Sequence, residues 1–292
     1  MKGIIVRNAY YDAPQLNYQV NRIREELENL GVDVEVIKNG YDLSVNERCQ
    51  IVSNLQGVKF CVFLDKDKYL GKMLESAGVR LFNPIDSIIS CDDKMLTVLS
   101  LIGSNIEVPK TYSAPLCFTS GAKVDREELK KVSNDLGFPL IVKKSFSSLG
   151  KGVYLASDLE EFYKIVNENL FEPKIYQSFI SSSFGRDVRI ICIGKKYVGA
   201  IERYSSSDFR SNSALGGSAK AINPSPEFIK TAERVAEILN LDYMGVDLLY
   251  GERGNPVVCE VNSNAFFTAF ESATNINVAK LYAEHVIKSI GE

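Results

Sequence analysis

The sequence predicts a mixed fold, in which a small parallel α/β domain precedes two α+β lobes. Three observations support this prediction. In the first 85 residues, short apolar runs alternate with a helical pattern, which is the order expected of a parallel α/β domain. Residues 86–173 mix helical patterns with strand patterns, and residues 174–292 contain apolar strands joined by short glycine-containing turns. We therefore predict three domains, at 1–85, 86–173 and 174–292.

The N-terminal domain is predicted from strands that alternate with helices. Residues 3–6 and 58–64 are continuous apolar runs, which are typical of strands buried inside a parallel sheet. Because the region lacks a GxGxxG motif, it gives no support to a dinucleotide-binding domain. The predicted elements are a strand at 3–6, a helix at 16–30 that ends at Gly31, and strands at 32–37 and 58–64.

The two lobes that follow are predicted from a change of pattern at Asn83-Pro84, where the chain is broken. In the central lobe we predict a helix that begins at Asp92, an extended segment at 108–112, a helix at 125–136, strands at 139–144 and 152–156, and a helix at 158–166. In the C-terminal lobe we predict a hairpin at 187–204, a helix at 226–239, a second hairpin that spans Asp247 to Asn262, and a helix at 277–289.

Composition and charge limit the classes of function. The 292 residues are 45% hydrophobic and 24% charged, which is typical of a globular protein with a core. With 34 Lys and Arg against 37 Asp and Glu, the net charge is −3, so nothing indicates a nucleic-acid partner. No run approaches the roughly 20 apolar residues of a spanning helix, and the N-terminal apolar run is short for a secretion signal. We expect a cytoplasmic location without a membrane partner.

Cysteine and histidine usage excludes several kinds of active site. The six cysteines form no CxxC pair, which argues against a zinc site and a disulfide framework. The single histidine, His285, lies in the C-terminal helical pattern, where a structural or surface role is expected. The sequence therefore gives no support to a Ser-His-Asp triad, a zinc hydrolase or a Cys-His protease.

The second C-terminal hairpin carries a candidate metal site. Glu260 and Asn262 are two residues apart, so a strand places both on one face, and the hairpin can bring Asp247 alongside them. Two carboxylates and an amide suit a hard cation such as Mg²⁺, which completes its shell with water and substrate phosphates. A hairpin with a polar, solvent-facing side would show the same pattern, so both interpretations stay open at this point.

A Ser/Gly-rich segment at 145–152 follows a strand that ends in Lys143 and Lys144. Such a loop can close over phosphates with backbone N–H and hydroxyl donors, although it lacks the Walker A spacing. Alternation sends the two lysines to opposite faces, so at most one of them points into a cleft. Lys94, near a helix N-terminus, is a second candidate for phosphate binding. The alternatives are a flexible hairpin and surface lysines.

Polar side chains also accompany the first C-terminal hairpin and the loop after it. Arginine forks suit phosphate or carboxylate groups, and these arginines flank an apolar strand rather than a charge-rich segment. A solvated strand edge is the alternative interpretation. The residues are Asp187, Arg189, Arg203, Arg210 and Asn212.

The order of these motifs resembles the ATP-grasp superfamily and, within it, the RimK-like carboxylate–amine ligases. The motifs that carry the resemblance are GRDVRIICIG, AIERYSSSDFRSN, GVDLL and EVN, after YQSFI and the two lysines. The resemblance covers residues 85–292. It implies an ATP-grasp fold, in which two α+β lobes clasp ATP, preceded by the small α/β domain.

The resemblance also implies roles for matching residues. Those implied to contact ATP are Lys94, Lys143, Ser147, Ser148, Gly150, Gln177, Ser178, Phe179, Ile180, Asp187, Arg210, Ser211 and Asn212, with Gln177–Ile180 as the hinge beside adenine. Those implied to be catalytic are Arg203, Arg210 and Asn212. Those implied to hold Mg²⁺, with Mn²⁺ as the alternative cation, are Asp247, Glu260 and Asn262.

The activity implied is that of an ATP-dependent ligase that forms a C–N bond through an acylphosphate. It would join glutamate or another amino acid to a carboxylate-bearing peptide, protein or cofactor, and the protein could form a homo-oligomer. A kinase and a non-catalytic nucleotide sensor are the alternatives. Two positions depart from the family pattern. At the hinge, Ser178 stands where the family commonly has an acidic residue. Residues 263–267 replace a small turn with a bulkier, aromatic segment, and this departure concerns the acceptor substrate.

Overall fold

The computed structural model describes residues 1–40, 42–211 and 218–291. The N-terminal part contains a four-stranded parallel sheet in the order β2-β1-β5-β6. Ile4, Ile5 and Val6 are fully buried, because helices cover both faces of this sheet. The elements are β1 (Lys2–Arg7), α1 (Pro14–Asn29), β2 (Asp33–Lys38), β3 (Leu43–Val45), β4 (Ile51–Ser53), β5 (Val58–Leu64), α2 (Lys68–Ser76) and β6 (Arg80–Phe82).

The connection from β2 to β5 differs from a simple alternation of strands and helices. It carries the antiparallel β3–β4 hairpin, and its polar turn lies at residues 46–50. Before the turn, Leu43, Ser44 and Val45 alternate between apolar and polar residues, and after it Ile51 and Val52 are both β-branched, so both sides favour a strand.

The central antiparallel sheet has the order β7-β10-β8-β9. Where one helix was predicted from Asp92, two helices meet at Asp93. The Asp93 side chain accepts hydrogen bonds from the backbone N–H groups of Met95 and Leu96, so it ends one helix and caps the next. The elements are α3 (Ile85–Asp92), α4 (Lys94–Ser100), β7 (Thr111–Ser113), α5 (Arg126–Leu136), β8 (Leu140–Lys144), β9 (Val153–Ala156), α6 (Leu159–Glu168) and β10 (Lys174–Ser178).

The C-terminal antiparallel sheet has the order β13-β12-β11-β14-β15. Its last two strands form the predicted hairpin, and Gly254 in the turn adopts a φ of 78°, which favours glycine. The elements are β11 (Arg186–Ile193), β12 (Lys196–Tyr204), β13 (Ser218–Ile222), α7 (Pro226–Ile238), β14 (Tyr243–Tyr250), β15 (Pro256–Asn262), α8 (Thr268–Thr274) and α9 (Val278–Gly291).

The N-terminal sheet and the C-terminal lobe share one hydrophobic core. Ile23 of α1 and Tyr282 of α9 belong to it, and the two helices pack together. The buried Asn83 side chain adds a polar link, since its Nδ2 donates to the carbonyl oxygens of Tyr243 and Ser263, each at 2.8 Å. These contacts hold β14 and the segment after β15 against the N-terminal domain.

The predicted division at 85 and 173 stays a prediction. Strand β10, which follows the second predicted boundary, lies between β7 and β8 in the central sheet. Within the described parts of the chain, the helices are all too short or too polar to cross a bilayer.

Candidate active site

A cavity of about 530 Å³ lies where the three sheets approach one another. Residues of the central and C-terminal sheets line it, together with the carboxyl edge of the N-terminal sheet. Asn212, which was predicted to be catalytic and to contact ATP, lies outside the described residues. The other predicted site residues all line the cavity: Lys94, Lys143, Ser147, Ser148, Gly150, Gln177, Ser178, Phe179, Ile180, Asp187, Arg203, Arg210, Ser211, Asp247, Glu260 and Asn262.

The β14–β15 hairpin brings the three predicted metal ligands together. Asp247 stands directly opposite Glu260, and Asn262 follows two residues later along β15. Glu260 Oε1 lies 3.3 Å from Lys94 Nζ, and the Nδ2 atom of Asn262 is buried without a hydrogen-bond partner among the described residues. Because a strand pair aligns opposite residues on one face, the set presents its polar groups to the cavity.

The part of the chain that the structure describes offers no larger acidic or histidine cluster as an alternative metal site. Within residues 1–40, 42–211 and 218–291, no group of three or more His, Cys, Asp or Glu side chains is placed to hold a metal ion. The hairpin set has two carboxylates and one amide, so its third ligand is the Asn262 side chain.

A buried chain of alternating charges crosses three adjacent strands beside the hairpin. Arg189 holds Asp247 in a two-pronged contact at 2.7 Å for each pair of atoms. Arg203 Nη2 lies 3.0 Å from Asp247 Oδ2, and Arg203 also donates hydrogen bonds to both carboxylate oxygens of Asp187. The register creates this chain, because Arg189 pairs with Asp247 and Arg203 with Asp187 across the sheet.

Within this buried chain of charges, Asp247 and Arg203 stabilise each other's ionised form. Burial alone would raise the pKa of Asp247, but the guanidinium groups of Arg189 and Arg203 outweigh it and hold the pKa below its usual range. Burial alone would lower the pKa of Arg203, but Asp247 and Asp187 raise it. At neutral pH Arg203 is therefore cationic and Asp247 is anionic.

The two lysines enter the cavity from different elements. Lys94 is the first residue of α4, and its Nζ donates to the backbone oxygen of Ser147 at 2.8 Å. Lys143 of β8 reaches toward β15, with its Nζ 3.5 Å from Cys259 Sγ. The next lysine, Lys144, pairs instead with Glu172 at 3.7 Å, as strand alternation requires.

Cys259 is a cavity residue that the sequence did not single out for chemistry. Burial raises the pKa of its thiol, and the nearby Lys143 charge opposes that shift without cancelling it. The thiol is therefore neutral at physiological pH, so Cys259 contributes packing rather than a thiolate nucleophile.

Residues 145–152 form a loop over the cavity. Three side chains from different parts of the chain contact this loop. We call this segment the lid. Lys94 contacts Ser147, Lys66 Nζ lies 3.1 Å from Ser148 Oγ, and Arg210 Nη1 donates to the backbone oxygen of Gly150 at 3.0 Å.

Arg210 is held in place by Asp208. Hydrogen bonding from Arg210 lowers the pKa of Asp208, and hydrogen bonding to Asp208 raises the pKa of Arg210. In the structure Arg210 thus anchors the lid, in addition to lining the cavity.

Replacing Lys66 with alanine is expected to loosen the lid without unfolding the protein. Lys66 is partly exposed, so the loss should cost less than about 1 kcal/mol of global stability. Amide hydrogen exchange of residues 146–151 should become faster, because one of the lid's anchors is removed. A Lys68→Ala variant, which changes an exposed lysine two residues away, is the control. Unchanged exchange in Lys66→Ala would contradict the assignment of Lys66 as an anchor.

The carboxyl edge of the N-terminal sheet supplies cavity residues that the sequence analysis missed. Asn8 follows β1 and Asp65 follows β5, and Asn8 Nδ2 donates to Asp65 Oδ1 at 3.1 Å. A signal was available, because the carboxyl ends of neighbouring parallel strands meet at one edge, where ligands bind. Arg189 was recognised as a polar hairpin residue but received no role, although it lies two residues from Asp187 on the same strand.

The segment after β15 was expected to form a bulky, aromatic substrate pocket. Phe266 lines the cavity, but Phe267 is fully buried in the shared core. Its ring packs edge-on against Tyr18 and Tyr243, with centroids 6.0 Å and 6.5 Å away. Only one of the two aromatic rings therefore faces the cavity.

Phe266 and Phe267 are expected to respond differently to replacement with alanine. Phe267→Ala should lower the free energy of unfolding by about 3–5 kcal/mol, because it leaves a void in a packed core. Phe266→Ala should change stability much less and alter substrate binding instead. Urea denaturation of both variants tests this, and equal losses of stability would contradict it.

The charge of the cavity favours an anionic ligand. Its lining carries more cationic than anionic side chains, and a concave site of one sign attracts the opposite charge. Together with the lid, these cations could hold a polyphosphate. The cationic side chains are Lys66, Lys94, Lys143, Lys151, Arg189, Arg203 and Arg210, and the carboxylates are Asp65, Asp92, Asp187, Asp247 and Glu260.

Comparison of the sequence with known families and proteins gives a consistent result. Residues 91–286 match the family described as the RimK-like ATP-grasp domain. N-acetylaspartylglutamate synthase A from Homo sapiens is 31% identical over 227 residues, which are 76% of this chain and 56% of that protein. A probable alpha-L-glutamate ligase from Parasynechococcus marenigrum is 33% identical over 223 residues, 75% of this chain and 46% of that protein. The chain thus spans about half the length of these curated relatives.

Solved structures show the same fold over nearly the whole chain. D-alanine–D-alanine ligase from Bacillus anthracis, in complex with ATP, has a TM-score of 0.75 at 19% identity and covers 99% of this chain and 97% of that one. The ATP-grasp ligase PsnB, in complex with a minimal precursor, Mg and ADP, has a TM-score of 0.71 at 17% identity and covers 99% and 98%. The match extends beyond residues 91–286 and includes the N-terminal sheet.

Proposed function

Because the chain belongs to the RimK-like ATP-grasp family, we propose that it is an ATP-dependent carboxylate–amine ligase. One observation carries this proposal: a single cavity joins cationic side chains suited to phosphate with the carboxylates of the hairpin. Lys94 and Lys143 enter from one side, the Arg189–Asp247–Arg203 chain lies on the other, and a Ser/Gly lid lies over them. The names of the relatives, which describe glutamate ligases and synthases, support the same activity.

The residues of the hairpin fit Mg²⁺. Glu260 is partly exposed to the cavity, and Asn262 Nδ2 has no hydrogen-bond partner among the described residues, so no bond from this nitrogen stops the amide from presenting Oδ1, the atom that would contact a cation. Asp247 is engaged by two arginines, but a carboxylate has about four acceptor positions and can also face a cation. When bound, Mg²⁺ would offset the charge of the phosphate oxygens.

The protein side chains would act mainly by position and charge. Lys94 and Lys143 would hold the triphosphate, and Lys94 would exchange its contact with Glu260 for a phosphate oxygen. Arg203 would present a cation to the transferred phosphoryl group from a position fixed by two buried carboxylates. The lid would exclude water, which otherwise hydrolyses an acylphosphate.

The proposed reaction has two steps. An oxygen of the acceptor carboxylate attacks the γ-phosphorus of ATP, the bond to the bridging oxygen breaks, and ADP leaves. The amine then attacks the acyl carbon of the acylphosphate, inorganic phosphate leaves, and the amine proton passes to solvent or phosphate. The products are an amide, ADP and phosphate, and neither step requires a histidine base.

We propose glutamate as the amine substrate, supported by the names of both curated relatives. The acceptor would lie between Phe266 and the Asn8–Asp65 edge of the N-terminal sheet, since Asn8 and Asp65 line the cavity from the N-terminal domain and Phe266 lines it from the segment after β15. The homo-oligomeric state, the cytoplasmic location and the use of Mn²⁺ stay predictions.

The proposal is tested by following ADP formation with ATP, Mg²⁺, glutamate and a panel of small carboxylates and peptides. A ligase should form ADP only when the carboxylate is present, and hydroxylamine should trap the acylphosphate as a hydroxamate. A phosphorylated product that resists hydroxylamine would indicate a kinase. Nucleotide binding without turnover across the panel would indicate a nucleotide sensor.

A further inference from the structure

Gln177 has a buried acceptor atom that nothing in the described chain satisfies. Its side chain is 2% exposed and lines the cavity from β10, yet its Oε1 atom has no hydrogen-bond partner among the described residues. Leaving a buried acceptor unpaired is costly, so such an atom indicates a donor that arrives with a ligand.

The orientation of the Gln177 amide is fixed by Thr111, which stands directly opposite on β7. The Thr111 hydroxyl donates its single proton to the backbone oxygen of Pro109 at 2.6 Å. It can therefore only accept from Gln177, whose Nε2 lies 2.9 Å away. If the amide turned over, Gln177 Oε1 would face the Thr111 oxygen. Either two acceptors would then lie against each other, or the Thr111 hydroxyl would lose its hydrogen bond to the Pro109 carbonyl oxygen. The Gln177 oxygen is thus held as an acceptor.

The surroundings of this acceptor suit a flat heterocycle next to the phosphate site. Ile141 pairs with Gln177 on the other neighbouring strand, and Leu249 and Val261 line the cavity from the opposite sheet. Lys143 lies two residues beyond Ile141 on the same face of β8, roughly 7 Å along the strand. A base seated here would extend its phosphates toward that lysine.

We propose that Thr111 is a positioning residue that makes the site selective for a purine with an amino group at C6. It does not line the cavity itself, and it acts through Gln177, whose oxygen accepts from that amino group. A purine with oxygen at C6 would instead place that oxygen against the Gln177 oxygen, so two acceptors would face each other without a proton between them. This inference rests on the proposed function only in requiring that the cavity binds a nucleotide.

The expected selectivity is measurable. Loss of one buried hydrogen bond, together with an unpaired acceptor, corresponds to roughly 10- to 100-fold weaker binding. ATP should therefore bind at least about tenfold more tightly than ITP, which has oxygen at C6. Purine riboside triphosphate, which has only hydrogen at C6, should fall between them.

The experiment measures the dissociation constants of these three nucleotides in Mg²⁺ for the full chain and for two variants. Thr111→Val keeps the shape but removes the hydroxyl, so the amide is free to turn its nitrogen toward ITP. The ATP-to-ITP ratio should then fall to about threefold or less. Thr111→Ser keeps the hydroxyl and should keep the wild-type ratio, which a purely structural role for Thr111 would not predict.

The outcomes separate this inference from the proposed function. Binding of ATP and ITP with equal affinity by the wild type, or an unchanged ratio in Thr111→Val, would overturn the inference while leaving the ligase proposal intact. Failure to bind any nucleotide would overturn both. If Thr111→Val does not fold, Thr111→Ala, which also removes the hydroxyl, should lower the ATP-to-ITP ratio in the same way, and an unchanged ratio would overturn the inference.

Discussion

Replacing Glu260 with glutamine is expected to slow ADP formation by roughly 100-fold or more, because a metal that neutralises phosphate charge contributes several kcal/mol to such a reaction. Glu260 lies opposite Asp247 on the hairpin and is partly exposed, so the substitution should leave the fold intact. The apparent affinity for Mg²⁺, measured through Mg²⁺-dependent nucleotide binding, should fall in parallel.

Glu252 provides the matched control. It is exposed in the turn of the same hairpin, so Glu252→Gln removes the same charge without touching the cavity. This variant should keep wild-type activity and Mg²⁺ dependence. A Glu260→Gln variant with undiminished activity would remove the metal assignment from the hairpin.

Replacing Arg203 with methionine is expected to lower the free energy of unfolding by about 3–5 kcal/mol and to abolish activity. Arg203 is 5% exposed and lies between Asp187 and Asp247. Without its charge, Asp187 loses its only ion-pair partner among the described residues, and Asp247 keeps only Arg189 as its partner there. Urea denaturation measures the loss.

A second substitution separates stability from activity. In Arg203→Met combined with Asp187→Leu, no unpaired carboxylate is left, because Asp247 still pairs with Arg189. Most of the stability should return while activity stays absent. If the double variant is no more stable than the single one, the charge chain does not stabilise the fold as described. Arg253→Ala, at an exposed arginine in the hairpin turn, is the control.

The part of the site that depends on local periodicity could be read from the sequence. Strand alternation places Glu260 and Asn262 on one face and separates Lys143 from Lys144. The β14–β15 hairpin brings the two strands together, but a register shift between Asp247 and Leu248 is needed to place Asp247 opposite Glu260, and the turn alone would not give it. The alternation is a short-range consequence of covalent geometry, so it needs no knowledge of the rest of the fold.

The part that depends on contacts between distant segments could not be read in this way. Lys66 and Ser148 are 82 residues apart and meet at the lid, and Asn8 and Asp65 are 57 residues apart and meet at a sheet edge. Phe266 and Phe267 are neighbours in sequence, yet one faces the cavity and the other fills the core. Which of two adjacent aromatic residues is buried depends on the chain that packs against them.

The sequence by itself determined the family of the fold, most of its longer strands and helices and the residue types expected to contact ATP, because hydrophobic period and motif order are properties of the chain alone. Only the tertiary structure decided that Asp247 and Asp187 are held by Arg189 and Arg203, that the N-terminal sheet contributes to the cavity, and that Thr111 orients Gln177. These depend on strand register and on the packing of one sheet against another. Both are set by the burial of many side chains at once, and no single segment encodes them.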